Sequence, residues 1–216
     1  EMCIRDRSCA GYLSFTDTLK ILRIRGDAMQ NSVPKGQGGM VAALGSTVEE
    51  IEKTIKRGGT IYTMGNGGSA SISGHLLCDY VKGIYIDTSL KPKVLCLSSE
   101  ISIISAIAND ISYDEIFSFQ LRETLTESDI IIAISSSGNS ENIIKALNEA
   151  KISKAKSILF CGFDGGRGKK LADYAIHFPV NNYGITEDLH QMTMHTIAQY
   201  LRMKYTKNTD IKNIKF

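Results

Sequence analysis

From Met40 to Arg57 the run MVAALGSTVEEIEKTIKR spaces its apolar residues three and four apart, which predicts an amphipathic helix closed by Gly58 and Gly59. The texture then changes. TIYTM (60–64), KVLCLS (93–98), DIIIAIS (129–135), SILFCG (157–162) and YAIHFPV (174–180) are short, nearly continuous apolar runs. Such runs suit strands of a parallel sheet covered on both faces. Helical spacing fills the intervals at 69–82, 100–108, 115–125 and 139–152, with a last helix over 186–204. The alternation predicts an α/β fold: a doubly wound, five-stranded parallel sheet flanked by helices.

Upstream, residues 14–30 carry a further helical pattern, and NSVPKGQGG then breaks it. The chain thus divides into three segments. Residues 1–37 form a leader and an N-terminal helical arm, 38–205 the α/β domain, and 206–216 a C-terminal tail. The first ten residues or so share no period with the downstream chain and are read as a leader or an artefact of sequence assembly. They lack the apolar stretch of a signal peptide.

Composition narrows the function classes. Across 216 residues, 43% are apolar and 22% charged, the balance of a folded globular chain. A formal charge of +2 is too small for a nucleic-acid surface, and no apolar run reaches membrane-spanning length. Neither nucleic acid nor membrane is expected as a partner. The cysteines, Cys3, Cys9, Cys78, Cys96 and Cys161, form no CxxC pair, which places the chain in a reducing cytoplasm.

Two loops carry candidate chemistry. GNGGSASISGH (65–75) and SSSGNS (135–140) each join a strand to a helix through small residues. Helix N-termini present free N–H groups and a favourable dipole end to an anion. Ser135, Ser136, Ser137 and Ser140 add hydroxyls enough to surround a phosphate. The competing reading makes these serines helix caps and nothing more. Neither loop matches a P-loop or a dinucleotide-binding glycine pattern.

These stretches, with AIANDISYDEIF (106–117), CGFDGG (161–166) and TEDLHQMTMHTIAQYL (186–201), resemble the sugar isomerase (SIS) domain family, and within it the phosphoheptose isomerases. The resemblance implies a homotetramer with active sites at subunit interfaces, acting on a phosphorylated sugar. It implies substrate contacts from Asn66, Gly67, Gly68, Ser69, Asp79, Asn109, Asp110 and Glu187, with Ser135, Ser136, Ser137 and Ser140 on the phosphate. It also implies a zinc site at His75, Asp79, Glu187 and His195. Asp79 stands where the family has glutamate, Glu187 where it has glutamine, and Gly83 where arginine is frequent. The shorter Asp79 loses about 1 to 1.5 Å of reach.

The expected reaction is aldose–ketose isomerisation through an enediol, most simply of sedoheptulose 7-phosphate to D-glycero-D-manno-heptose 7-phosphate. That chemistry needs a base at carbon and an acid–base group at the oxygens, here Asp79 and His195. The alternative is a non-catalytic SIS module that senses sugar phosphates or binds a protein such as a replication initiator. His75 and Asp79, four apart, share a helix face. His190 points about 140° away from His195 and is read as a supporting or interface residue, His177 as structural. Glu187 and His195 are separated by about 12 Å of helix rise, too far to share one ion in a regular helix. Either Glu187 precedes the regular helix, or the helix bulges, or the two groups belong to different subunits.

Overall fold

The structure is a computed structural model that describes residues 14, 16–17, 20–21, 23–24, 40–86 and 88–206, with side chains in the last two segments from residue 46 onward. The chain divides into two compact units, Glu1–Gly38 and Gly39–Phe216. In the first, the described residues from Thr16 to Ile24 are helical, and Ser14 Oγ accepts the Asp17 N–H at 3.0 Å. The predicted leader, and the tail after residue 206, lie outside the described residues.

The second unit runs α1 (Met40–Lys56), β1 (Thr60–Gly65), α2 (Gly68–Cys78), a π-helical segment (Asp79–Ile84) and β2 (Lys93–Cys96). It continues with α3 (Ile101–Asp110), a 3₁₀ turn (Tyr113–Glu115), α4 (Ser118–Leu121), β3 (Ile130–Ser135) and α5 (Glu141–Ser153). Last come β4 (Lys156–Cys161), α6 (Gly168–Leu171), β5 (Tyr174–His177) and α7 (Tyr183–Tyr205). The five strands are all parallel, in the order β2-β1-β3-β4-β5.

Every residue of β3 is buried, as its unbroken apolar run requires. Alternate side chains face opposite helical layers. Ile131 and Ala133 join Phe117, Leu121, Ile143 and Leu147 in the core beneath α3, α4 and α5. The opposite face is covered by α1, α2 and α7. On α1, Thr47, Val48, Ile51, Thr54 and Ile55 form the buried stripe. Burying each large aliphatic side chain of this kind contributes about 1.5–3 kcal/mol.

Strand order reverses between β1 and β3. One chain leaves β1 toward β2, the other leaves β3 toward β4, and their loops diverge to open a crevice at the carboxyl ends. At the opposite end of this seam, buried Asp129 accepts the Thr60 N–H at 2.7 Å and the Thr126 N–H and hydroxyl at 2.8 and 2.7 Å. One carboxylate thereby fixes where both central strands begin.

Four predicted elements differ, one of them the last strand, which ends at His177 instead of running on to residue 180. The helix over 115–125 is broken into a 3₁₀ turn and one short helix. Ser112 Oγ accepts the Asp114 N–H and starts the turn, and Thr124 Oγ1 back-bonds to the Gln120 carbonyl near the end. The helix over 69–82 becomes π-helical from Asp79, with the Tyr85 N–H reaching the Tyr80 carbonyl five residues back. Strand β2 stops at Cys96 because Ser98 turns its hydroxyl to the Gly65 carbonyl at 2.8 Å.

Asp129→Ala is expected to lower stability by about 3 kcal/mol, since it strips partners from the Thr60 and Thr126 donors. Urea unfolding measures this, and an unchanged midpoint would remove Asp129 from that role.

Candidate active site

The crevice holds a pocket lined by Asn66, Ser69, Ile134, Ser135, Ser136, Ser137, Ser140, Tyr183 and Glu187. The serines of the β3–α5 turn divide into two kinds. Ser135 Oγ accepts the Gly138 N–H at 3.2 Å, and Ser137 Oγ accepts the Asn139 N–H at 3.2 Å, so these two shape the loop. Ser136 is 5% exposed, and its hydroxyl has no hydrogen-bond partner. Ser140 occupies the N-cap of α5 without making a side-chain capping bond. Simple capping therefore does not explain the loop.

A buried orphan hydroxyl costs free energy unless a ligand satisfies it. Ser136 also lines the pocket at the start of a 13-residue helix, whose N–H groups and dipole favour an anion. The turn is backed by close main-chain packing. Gly138 has φ +64°, and a Cβ there would strike the Gly165 carbonyl.

The β1–α2 turn is fastened to this loop by side-chain amides. Asn66 Nδ2 donates to Asn142 Oδ1 at 2.9 Å, and Asn142 Nδ2 returns a bond to Asn66 Oδ1 at 3.0 Å. The Tyr113 hydroxyl donates to the same Asn66 oxygen at 3.0 Å. Glu187, in the first turns of α7, lays its carboxylate against Gly68, leaving no room there for a Cβ. Glu187 is the one charged group among the described lining residues, and burial raises its pKa.

Further along the same two helices lies a second group. His195 Nδ1 is 2.7 Å from Asp79 Oδ2, and His75 Nε2 is 3.5 Å from Asp79 Oδ1. The two imidazoles meet edge to face with centroids 4.8 Å apart. One ligand atom from each of His75, Asp79 and His195 falls within 4.8 Å of the others. Two imidazole nitrogens and a carboxylate match the donor preferences of zinc, and three protein donors leave a position open. The residues present therefore fit the expected metal. His75 is exposed and His195 is 42% exposed at its side chain, so the group opens outward.

Within this chain three residues, Glu187, Asn109 and Asp110, stand outside the groups expected of them. Glu187 does not join His75, Asp79 and His195 within this chain: about 12 Å of helix rise separates it from His195, and α7 has no bulge to close that gap. Asn109 and Asp110 sit exposed at the end of α3, bonded to each other at 2.7 Å, and do not line the pocket. His190, expected to be a supporting or interface residue, is fully buried between the Phe160 and Phe178 rings and supports the core of this chain. Burial pushes its imidazole down to about 4, opposed in part by the Cys161 backbone. His177, as expected, is structural: its Nε2 is 3.0 Å from the Phe163 carbonyl.

Sequence reasoning missed Asn142, Tyr113, Ile134, Tyr183 and Gln191. Gln191 Nε2 stands 2.8 Å from His195 Nε2. Its position four residues before His195 on a predicted helix was the available signal for it.

The family model for the SIS domain matches residues 30–161. A phosphoheptose isomerase of Helicobacter pylori is 32% identical over 178 residues, spanning 82% of this chain and 92% of its own length. Among solved structures, a phosphoheptose isomerase from Neisseria gonorrhoeae superposes with a TM-score of 0.76 at 23% identity, covering 85% of this chain and 98% of its own. One from Francisella tularensis gives 0.78 at 22% identity, covering 86% and 98%. At those identities the superpositions establish likeness of fold.

Ser136→Ala separates stability from binding. Removing an unsatisfied hydroxyl is expected to leave the thermal midpoint unchanged or raised. Calorimetry should show sugar-phosphate affinity weakened at least about tenfold, the scale of one hydrogen bond to a charged group.

Proposed function

The chain belongs to the SIS-domain family, among the phosphoheptose isomerases, and we propose that this aldose–ketose isomerase converts sedoheptulose 7-phosphate to D-glycero-D-manno-heptose 7-phosphate. The observation that carries the proposal is the pairing of two features on α2 and α7. An anion pocket with an orphan hydroxyl lies at their amino ends, and a His–Asp–His group lies further along both.

In the mechanism, Ser136, Ser140 and the first N–H groups of α5 hold the phosphate, and that remote binding energy keeps the sugar in place. The Asp79 carboxylate takes a proton from C1 of the ketose. His195 delivers a proton from its Nε2 edge to the carbonyl oxygen at C2, the Gln191 carboxamide giving way to substrate there, and the enediol forms. His195 then removes the proton from the C1 hydroxyl as Asp79 returns its own to C2. Protons balance, and both residues end as they began. Their 2.7 Å contact lets each steady the other's charge. His75, Asp79 and His195 would hold zinc, which when bound supplies Lewis-acid polarisation of the substrate carbonyl.

The functional assembly is a homotetramer, working in the cytoplasm, with its active sites between subunits. Two facts support this arrangement. The His–Asp–His group opens outward, and the chain's own Glu187 is held at Gly68. A neighbouring subunit's Glu187, swung off its own Gly68, would then supply the fourth donor. Among the described residues no helix is long and apolar enough to cross a membrane.

Asp79→Asn should lower turnover of sedoheptulose 7-phosphate at least about a hundredfold while its binding stays measurable. Turnover near the wild-type rate sinks the assignment of the base. For the shared site, Asp79→Asn and Glu187→Ala subunits are each expected to be inactive alone. Refolded together in equal amounts, they should recover about a quarter of wild-type activity, because mixed contacts rebuild intact sites. No recovery would place each site within one chain.

A further inference from the structure

We propose that Gln191 is a positioning residue for His195, holding the ring by its Nε2 edge so that the Nδ1 edge stays turned toward Asp79. The proposal rests on the isomerase reading for its catalytic meaning, but its geometry stands independently. Gln191 lies one turn before His195 on α7, and helical side chains lean toward the N-terminus, so the imidazole lies over the carboxamide. The two Nε2 atoms are 2.8 Å apart, and the opposite edge of the same ring is 2.7 Å from Asp79. The imidazole is thus gripped at both nitrogens, from two helices.

The chemistry of the grip explains why a carboxamide suits this position. An ionised carboxylate only accepts, so Nδ1 donates its proton to Asp79. In the neutral ring Nε2 then carries a lone pair and accepts from the Gln191 amide N–H. Were a metal held by His75, Asp79 and His195 on this side of the ring, Nε2 would carry the proton and would need an acceptor. Gln191 supplies one by turning its amide over to present Oε1. Metal-bound histidines characteristically donate their second N–H to such a partner. One side chain therefore serves His195 in both states. Leucine would serve neither, and glutamate would serve only the metal-bound one.

The test measures zinc affinity by chelator competition on the full chain without substrate, for wild type, Gln191→Leu and Gln191→Glu. Gln191→Leu is expected to weaken zinc binding about 10- to 100-fold with an unchanged metal-free melting temperature, while Gln191→Glu stays within about threefold of wild type or binds tighter. With sedoheptulose 7-phosphate, Gln191→Leu should lower kcat about tenfold and leave KM unchanged, as for a group that orients the acid–base residue. Equal losses in both variants, or wild-type affinity in Gln191→Leu, overturn the proposal, as does a wild-type protein that binds no zinc. A wild-type protein that binds zinc but turns over no sugar phosphate overturns the isomerase reading and leaves the affinity comparison valid.

Discussion

The β1–β3 seam is the constraint on which the site depends. A parallel sheet whose strand order reverses must part its loops at one place, and here the parting falls between two strands that are buried almost throughout. Polar side chains clamp the seam at both ends. Asp129 fixes the amino ends, and the reciprocal Asn66–Asn142 amides tie together the two turns that diverge at the carboxyl ends. The crevice is therefore open to a ligand while its walls are tied together. Asn142 is almost fully buried, so its bonds to Asn66 also satisfy groups that would otherwise be costly to bury.

Among the described residues lining that crevice there is no cation. Among the described lining residues the charged group is Glu187, an acid, so attraction for a phosphate must come from hydroxyls and from the start of α5. The placement of Glu187 gives the two glycine- and serine-rich turns different roles. Its carboxylate lies against Gly68 at the start of α2, so an anion would meet less repulsion at the serine loop. Burial raises the Glu187 pKa.

What the sequence revealed and what it hid have separate physical causes. The sheet and its covering helices were legible because DIIIAIS and SILFCG admit little other than strands buried on both faces. The serine loop was legible because hydroxyls cluster at a strand–helix junction. The pairing of Asp79 with His195 followed from a family resemblance, since a contact across 116 residues leaves no local pattern. Asn109 and Asp110, placed on the substrate by the resemblance, pair with each other at the exposed end of α3 in this chain. The π-helical turn after Cys78 was invisible to apolar spacing, which reports burial and not the hydrogen-bond ladder. His190 and His195, five residues apart, did separate as helix geometry requires, one into the core and one toward Asp79.

The missing methylene at Asp79 weighs against the expected chemistry only if it breaks the contact with His195, and it does not. The two atoms meet at 2.7 Å, the length of a strong charge-assisted hydrogen bond. α7 packs against both α2 and the π-helical segment that begins at Asp79, so backbone placement supplies the reach that the side chain lacks. A glutamate at this spacing would overshoot by about 1 Å or more and would have to fold back or push the helices apart. Aspartate here is thus matched to its own interhelical distance. The ring it holds is gripped on its other edge by Gln191, which leaves His195 little freedom to drift from the shorter acid. The short acid and the carboxamide make one geometric unit, in which each narrows the arrangements open to His195.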